Sequence, residues 1–285
     1  MKLKKILGLG KKTPAFKQVQ VGNYSLLANG EHPIQNYLNL FKYYSRNLPR
    51  IATYIESKYP AYNIIDVGAN IGDTIALLRS EGINQHIYAV EGEPTYLNML
   101  QKNVALFNKV TVFETFLGES NHTVTGATEV YEGTAHLNKN SDNQVVIKKL
   151  DDVAIANNLQ NVKLIKIDTD GFDFKILRGS LNLIKEQLPV LFFEYDAVFL
   201  EEQGDHPTAI FDTLRALGYN KAMFYDNFGK FLLSLTIDNI LTITQLYNYM
   251  HKKEGAFPYY DVCVFHQNDD ALADEIIAKE TAFYN

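Results

Sequence analysis

The chain has 285 residues, 46% of them hydrophobic and 21% charged, which is typical of a globular protein with a substantial buried core. Its net charge of −6 argues against a nucleic-acid partner, because such binding requires a positively charged surface. The single cysteine, Cys263, permits no intrachain disulfide, and no Cys/His cluster has the spacing of a zinc site, so we expect a cytoplasmic protein.

Residues 1–17 are basic, with lysines interleaved among leucines and isoleucine. They lack the apolar core and cleavage site of a signal peptide. A solvated segment is the favoured interpretation, because Gly8 and Gly10 weaken a helix, and a weak contact with an anionic membrane surface is the alternative. No run of about 18 apolar residues occurs, so we expect no transmembrane segment.

Residues 19–27 predict a strand, and the apolar spacing of residues 34–59 predicts two helices separated by Pro49. We expect residues 1–58 to form an N-terminal extension that covers the ligand crevice as a lid, and residues 59–285 to form the main domain. His32 is a candidate substrate contact in this extension, although a lone histidine is more often an ordinary loop residue.

Residues 63–91 predict a strand, a glycine turn, a helix and a second strand that ends on Glu91. Gly72 and Glu91 are nineteen positions apart, close to the roughly 20 expected between a nucleotide-binding turn and the acid that binds a ribose. Glycines let the backbone approach a ligand, and the helix N-terminus offers free N–H groups. An ordinary strand–turn–helix with a glycine cap is the less favoured alternative.

The turn has the form G-x-x-x-G and lacks the middle glycine that lets a pyrophosphate lie against the chain. No P-loop pattern occurs either. A ligand with an adenosine but no phosphate suits this turn, so we predict S-adenosylmethionine as the cofactor. The predicted cofactor-binding residues are Asp66, Gly68, Ala69, Asn70, Gly72, Asp73, Thr74, Glu91, Gly92, Phe116 and Leu117.

Further strands and helices alternate along the rest of the chain, as expected for an α/β fold. Residues 118–143 are polar and predict a hairpin-like or mobile flank of the active site. Strands are predicted at 110–116, 145–150, 164–168, 189–193 and 259–266, with a hairpin of 221–224 and 230–235. Helices are predicted at 94–108, 151–158, 172–185, 208–217, 240–252 and 271–283.

Three acids, Glu91, Asp168 and Glu194, stand at the carboxyl ends of predicted strands, the edge where open α/β sheets bind ligands. One such acid is usually a helix cap, but three at one edge favour a functional site. Asp168 is the first candidate for a general base, and His136 is the alternative because its ordinary pKa is near neutrality. The full set of catalytic candidates is Asp168, His136, Asp170 and Glu194, and the candidate substrate contacts are His32 and His206.

The carboxylates of Asp168, Asp170 and Glu194 could instead hold Mg²⁺, which prefers oxygen ligands. Strand-end carboxylates also serve without a metal, so we predict no metal site.

Five segments, in order, resemble the FkbM family of S-adenosylmethionine-dependent methyltransferases across residues 62–196, roughly half of the chain. They are DVGANIGDT at 66–74, YAVEGEP at 88–94, KKLDD at 148–152, LIKIDTDGFDFKILRG at 164–179 and LPVLFFE at 188–194. The resemblance implies a Rossmann-like α/β fold whose seven-stranded, mostly parallel sheet has an antiparallel last strand. It also implies that Gly68, Asn70, Gly72 and Asp73 shape the cofactor turn, that Glu91 binds the ribose and that Asp168 faces the reacting end. Asp170 departs from the family, which commonly has Glu there.

The expected activity is therefore O-methylation of a hydroxyl on a glycan, sugar or polyketide-like acceptor, as in polysaccharide biosynthesis. One alternative is an NAD- or nucleotide-sugar-dependent enzyme, which the missing glycine opposes. The other is a non-catalytic cofactor-binding homologue, which would have lost the strand-end acids that this chain retains.

Overall fold

The computed structural model describes residues 16–131, 134–138, 144–251 and 258–284. The strands are β1 Phe16–Val21, β2 Tyr24–Asn29, β3 Asn63–Val67, β4 His86–Glu91, β5 Val110–Glu114, β6 Phe116–Leu117, β7 His122–Thr125, β8 Ala127–Tyr131, β9 Thr134–Asn138, β10 Gln144–Lys148, β11 Val162–Ile167, β12 Val190–Tyr195, β13 Tyr219–Asp226, β14 Phe231–Thr236 and β15 Tyr260–His266. The α-helices are α1 Ile34–Leu40, α2 Asn47–Lys58, α3 Asp73–Ser80, α4 Pro94–Asn103, α5 Leu150–Ala156, α6 Asp173–Arg178, α7 Leu181–Gln187, α8 Ala197–Glu202, α9 Ala209–Ala216, α10 Ile240–His251 and α11 Asp270–Phe283.

An eight-stranded sheet in the order β14-β13-β15-β12-β11-β3-β4-β5 forms the centre of the molecule. The five strands from β12 to β5 are parallel, and the last strand, β15, runs antiparallel between β12 and β13. The predicted Rossmann-like α/β class with an antiparallel last strand is confirmed. The predicted strand number is corrected from seven to eight, because the second arm of the predicted hairpin, β14, pairs with β13 and extends the sheet.

The central strands are buried on both faces, which explains their nearly continuous apolar sequences. Ile64 packs into a core with residues of α2, α3, α4 and α11, whereas its neighbour Ile65 packs on the opposite face with α5, α6, α7 and α9. This alternation follows from the two-residue period of a strand. Helices therefore cover both faces of the sheet.

The register of the parallel strands aligns their carboxyl ends. Val67 at the end of β3 is level with Val90 on β4 and with Ile167 on β11, which is level with Phe193 on β12. The residues that come next along these strands therefore meet at one edge, and they are Gly68, Glu91, Asp168 and Glu194.

The N-terminal elements differ from the prediction in two ways. The strand predicted at 19–27 is a hairpin of β1 and β2, because Gly22 adopts a positive φ of 56° and turns the chain. Pro49 does not separate the helices: α1 ends at Leu40 and Pro49 lies in the first turn of α2, where its missing N–H breaks no helical hydrogen bond.

The helix predicted at 172–185 is also corrected, because α6 ends at Arg178 and α7 begins at Leu181. Gly179 separates them and packs so closely that an added Cβ would overlap the carbonyl oxygen of Gly118.

The flank predicted at 118–143 contains β7, β8 and β9. β8 and β9 pair as a hairpin, while β6, β10 and β7 form a separate three-stranded sheet. His136 lies on β9 opposite Glu129, and its side chain is outside the described part of the structure. The basic segment falls almost wholly outside the described residues as well. Within the described ranges, no helix is long and apolar enough to cross a membrane.

The N-terminal elements share the core of the sheet. Ile51 and Ile55 on α2 are fully buried, and Arg50 on the same helix makes a bidentate ion pair with Glu280 on α11 at 2.7 and 2.8 Å. The Glu280 side chain is 0% exposed. The boundary between residues 58 and 59 stays a prediction.

Replacing Glu280 with Gln should destabilise the fold, because it leaves the guanidinium of Arg50 without its buried carboxylate. We expect the free energy of unfolding to fall by about 3 kcal/mol, measured by urea denaturation. Glu275→Gln is the matched control on α11, since it removes a half-exposed pair with Lys279 and should change stability by less than about 0.5 kcal/mol. Equal losses in the two variants would contradict a structural role for the buried pair.

Candidate active site

The glycine turn after β3 is held by main-chain bonds and by one buried acid. The N–H groups of Gly68 and Ala69 donate to the Val90 carbonyl at 3.0 and 3.1 Å. Gly68 has a φ of 73°, and an added Cβ would overlap the carbonyl oxygen of Asp168, so only glycine fits there. The N–H of Asn70 donates to Glu91 Oε2 at 2.8 Å. Glu91 therefore fixes the turn as well as facing the crevice.

A first cavity lies between this turn and the small sheet of β6, β10 and β7. Its polar side carries Glu91, Asp168 and Asp170, and no Lys, Arg or His occurs among its described lining residues. The rest of its lining is mainly apolar. Its aliphatic and aromatic residues are Val67, Val90, Tyr96, Phe116, Leu117, Val124, Val145, Ile147, Phe172 and Ile176. The first cavity therefore combines a mainly apolar lining with an acidic rim.

Several of these apolar residues were not predicted from the sequence. Val124, Val145 and Ile147 lie on β7 and β10, in or beside the segment interpreted as a flank. The strand at Val145 and Ile147 is predicted, but not its place in the site; for Val124, alternation with polar residues is the signal that could have identified a half-buried strand.

A second cavity opens beside the first, between the strand ends and the N-terminal extension. His32, Tyr37 and Tyr44 contribute from the extension, and Glu194 and Tyr259 from the opposite side. Four residues line both cavities: Gly68, Asn70, Asp168 and Asp170. Ligands in the two cavities would therefore meet at the ends of β3 and β11.

Lys166 is the site residue that the sequence interpretation missed. Its side chain is buried within β11, and its Nζ lies 3.2 Å from Asp66 Oδ1, 3.4 Å from Asp168 Oδ2 and 3.2 Å from the Gly68 carbonyl. Burial alone would lower the pKa of Lys166, but the carboxylates of Asp168, Asp66 and Asp73 outweigh burial and raise it. A charged residue inside the apolar run LIKID is the signal that marks it.

The Lys166 ammonium also affects the pKa of Asp66. Burial raises the pKa of Asp66 to about 6, against the opposing effect of Lys166. Lys166 thus joins the strand that carries the cofactor turn to the strand that carries Asp168.

Asp173 couples the ends of β11 and β12. It accepts hydrogen bonds from the Thr169 N–H and hydroxyl at 3.3 and 2.9 Å and from the Glu194 N–H at 3.2 Å. Burial, followed by the charge of Asp168, raises the pKa of Asp173 to about 6. Burial and the nearby carboxylates of Asp168 and Asp170 also raise the pKa of Glu194 well above its ordinary value.

His32 lies where the N-terminal extension meets the cofactor turn. Its Nδ1 accepts from the Ile34 N–H at 3.3 Å, so Nε2 carries the proton and donates to Asn70 Oδ1 at 3.0 Å. His206, in contrast, lines neither cavity: it is exposed and bonds to Thr208 in its own loop.

The predicted cofactor residues divide into three groups. Asp73 lines the second cavity, and Asp66, Ala69, Gly72 and Thr74 line neither cavity. Asp66 acts through Lys166, while Ala69 and Gly72 are buried behind the turn. The residues that line the first cavity are Gly68, Asn70, Glu91, Gly92, Phe116 and Leu117.

A family model described as the methyltransferase FkbM domain matches residues 66–221, more than half of the chain. The chain belongs to the FkbM methyltransferase family. The match begins at the cofactor turn and ends in β13, so it includes all the strand ends that form the site.

Three solved structures are similar to the chain only distantly. Precorrin-6y C5,15-methyltransferase from Geobacter metallireducens is 14% identical, with 73% of this chain and 81% of that chain covered and a TM-score of 0.38. The Methanococcus jannaschii fibrillarin pre-rRNA processing protein is 12% identical, with 91% and 86% covered and a TM-score of 0.42. M. jannaschii TYW2 in complex with AdoMet is 13% identical, with 90% and 86% covered and a TM-score of 0.38. These similarities are too remote to indicate a substrate. A search of curated proteins finds no match.

The first cavity of this methyltransferase fits S-adenosylmethionine better than a dinucleotide. The sulfonium and ammonium groups of that donor are positive and suit an acidic rim, whereas a pyrophosphate would face Glu91, Asp168 and Asp170 without a cation. In the part of the chain that the structure describes, no group of three or more His, Cys, Asp or Glu residues is arranged to hold a metal ion.

Glu91→Ala should weaken binding of S-adenosylhomocysteine by about 1.5–3 kcal/mol, the range for losing a hydrogen bond to a charged group. Titration calorimetry measures this loss. Glu114→Ala is the control, because Glu114 is the register partner of Glu91 at the end of β5 but does not line the first cavity. Unchanged affinity in Glu91→Ala would contradict the assignment of Glu91 to the ribose.

Lys166→Met should destabilise the fold in a pH-dependent manner. Without the ammonium, the pKa of Asp66 rises above its already raised value of about 6. A carboxyl whose folded pKa is raised stabilises the fold below its unfolded pKa, and this stability is lost as pH rises through the folded pKa. We therefore expect the loss to be small near about pH 4 and to reach about 3 kcal/mol near about pH 8.

Urea denaturation at several pH values measures this trend. Lys163→Met, on the same strand, removes a lysine that bonds the Gln187 carbonyl and should show no such rise. If the loss of unfolding free energy in Lys166→Met does not vary with pH, the pKa of Asp66 does not depend on Lys166.

Proposed function

We propose that this protein transfers the methyl group of S-adenosylmethionine to a hydroxyl of a sugar, glycan or polyketide-like small molecule. The observation that carries the proposal is that the first cavity and the second cavity meet at Asp168, with Gly68 and Asn70 beside it. Methyl transfer is an in-line displacement, so its rate depends on aligning donor and acceptor across such a junction.

The residues of the first cavity have separate tasks in this proposal. Glu91 accepts from the ribose hydroxyls, the apolar side formed by Phe116 and Leu117 packs against the adenine, and the main chain at Gly68 lies along the aminoacyl end. When bound, S-adenosylmethionine supplies an electrophilic methyl group on a sulfonium.

The second cavity receives the acceptor. A hydroxyl is a poor nucleophile and needs a base to take its proton as the new C–O bond forms and the C–S bond breaks. Asp168 is the proposed base, because its carboxylate is 57% exposed at the junction and Lys166 holds it in place at 3.4 Å. His136 remains the alternative base.

The N-terminal extension closes the acceptor side in this proposal. His32 donates to Asn70, and Tyr37 and Tyr44 form part of the wall, so the predicted lid contributes to acceptor binding. A glycan acceptor would place the reaction in polysaccharide biosynthesis, with a cytoplasmic enzyme and without a required Mg²⁺ ion.

Asp168→Asn tests the role of the base, because Asn keeps the shape of the side chain but cannot accept the proton. We expect kcat to fall by roughly 10²–10⁴-fold while affinity for S-adenosylhomocysteine changes little. Turnover is measured with an isotopically labelled methyl donor and mass spectrometry of products from a panel of hydroxylated acceptors.

Wild-type turnover with and without a chelator is the control for metal dependence. If activity is lost with the chelator and restored by Mg²⁺, a metal ion and not the Asp168 base would activate the acceptor hydroxyl. Near-normal turnover in Asp168→Asn would remove Asp168 from the mechanism and favour His136.

A further inference from the structure

Acidic side chains outnumber lysines in the described lining of the second cavity. Its described lining residues include four carboxylates, from Asp73, Asp168, Asp170 and Glu194, but a single ammonium, that of Lys166. The Lys166 ammonium already contacts Asp66 and Asp168. The lining also includes His32, whose Nδ1 accepts a hydrogen bond from the Ile34 N–H.

Glu194 marks one point in this cavity that the fold itself leaves unsatisfied. Its side chain is 8% exposed, and its Oε2 has no hydrogen-bond partner among the described residues. A buried carboxylate oxygen without a donor is unfavourable unless a ligand supplies one. Of the two cavities, Glu194 lines only the second. The hydrogen-bond donor that its Oε2 lacks would therefore come from the molecule that accepts the methyl group.

The wall beside Glu194 is aromatic. Tyr37, Tyr44 and Tyr259 line the second cavity and are absent from the described lining of the first. Tyrosine rings attract cations through the negative face of the ring, and carboxylates together with aromatic rings form sites that select ammonium groups. Anionic acceptors, such as phosphates and uronates, would be repelled by the same lining.

The sheet register sets the spacing between Glu194 and the base. Ile167 is level with Phe193, so Asp168 and Glu194 follow at equivalent positions on adjacent parallel strands, about 5 Å apart. Both side chains line the second cavity. A ligand that contacts both acids therefore needs two polar groups only a few bonds apart.

We propose that the second cavity selects an acceptor with a protonated amine on the carbon next to the hydroxyl that is methylated, as in an amino sugar. The ammonium donates to Glu194 and lies against Tyr37, Tyr44 and Tyr259, while the hydroxyl reaches Asp168. The amine stays protonated, the hydroxyl proton passes to Asp168, the C–O bond forms and the donor's C–S bond breaks. This inference rests on the proposed function for the identity of the reacting hydroxyl.

Three matched ring compounds test the selectivity directly: cis-2-aminocyclohexanol, cis-1,2-cyclohexanediol and cis-2-hydroxycyclohexanecarboxylate. Their affinities for the full-length protein are measured by titration calorimetry, with and without saturating S-adenosylhomocysteine. We expect the amine to bind roughly tenfold or more tightly than the diol, the gain expected for a hydrogen bond to a charged group, and the carboxylate to bind more weakly than both.

Variants assign the selectivity to residues. Glu194→Gln should remove most of the preference for the amine while leaving the affinities for the diol and for S-adenosylhomocysteine unchanged. Tyr37→Leu, at a partly exposed position, should weaken amine binding by roughly two- to fivefold through loss of the cation–aromatic contact. Glu202→Gln, an exposed acid on α8, is the control and should change nothing.

Equal affinity for amine and diol, or no binding of any probe, would overturn the proposal. It would also be overturned if Glu194→Gln weakened S-adenosylhomocysteine instead, since Glu194 would then serve the donor's own ammonium. Failure of S-adenosylhomocysteine to bind the wild type, with the preference for the amine intact, would reject the proposed function and leave the cation site standing.

Discussion

The buried ammonium of Lys166 is the interaction on which the site depends. It lies between Asp66 on β3 and Asp168 after β11, and it also contacts the carbonyl of Gly68. Asp66 is buried and Asp168 is partly exposed, and the ammonium that contacts both offsets the repulsion between the two acids. The contacts of Lys166 thereby fix the position of the glycine turn relative to Asp168.

The second constraint is the common register of four parallel strands. Because Val90, Val67, Ile167 and Phe193 are level on β4, β3, β11 and β12, the next residue along each places Glu91, Gly68, Asp168 and Glu194 at the same edge. Asp173 then ties the two last ends together through the main chain of Thr169 and Glu194. From the N-terminal elements, His32, Tyr37 and Tyr44 line the second cavity beside this edge.

Much of this arrangement could be predicted from the sequence. The buried strands have long apolar runs, and the helix predicted after the glycine turn is present as α3, Asp73–Ser80. The glycine turn could be predicted because its backbone geometry restricts it to few residue types. The strand-end acids could be predicted because each follows directly on an apolar run. The FkbM membership predicted from the five segments is confirmed by the family match.

The remaining features depend on contacts between residues far apart in the chain. Lys166 looks like an ordinary strand residue until Asp66, a hundred positions earlier, is placed beside it. Gly179 lies between α6 and α7 and packs against Gly118, a contact that the local sequence pattern does not show. His206 was favoured by residue type alone, and its loop lies away from both cavities.

The most direct test of the central claim is titration calorimetry of the wild-type protein with S-adenosylhomocysteine and, separately, with NAD. The acidic rim of the first cavity, with no Lys, Arg or His among its described lining residues, and the G-x-x-x-G turn predict clear binding of S-adenosylhomocysteine and far weaker binding of NAD. Tight binding of NAD with no detectable binding of S-adenosylhomocysteine would contradict the account.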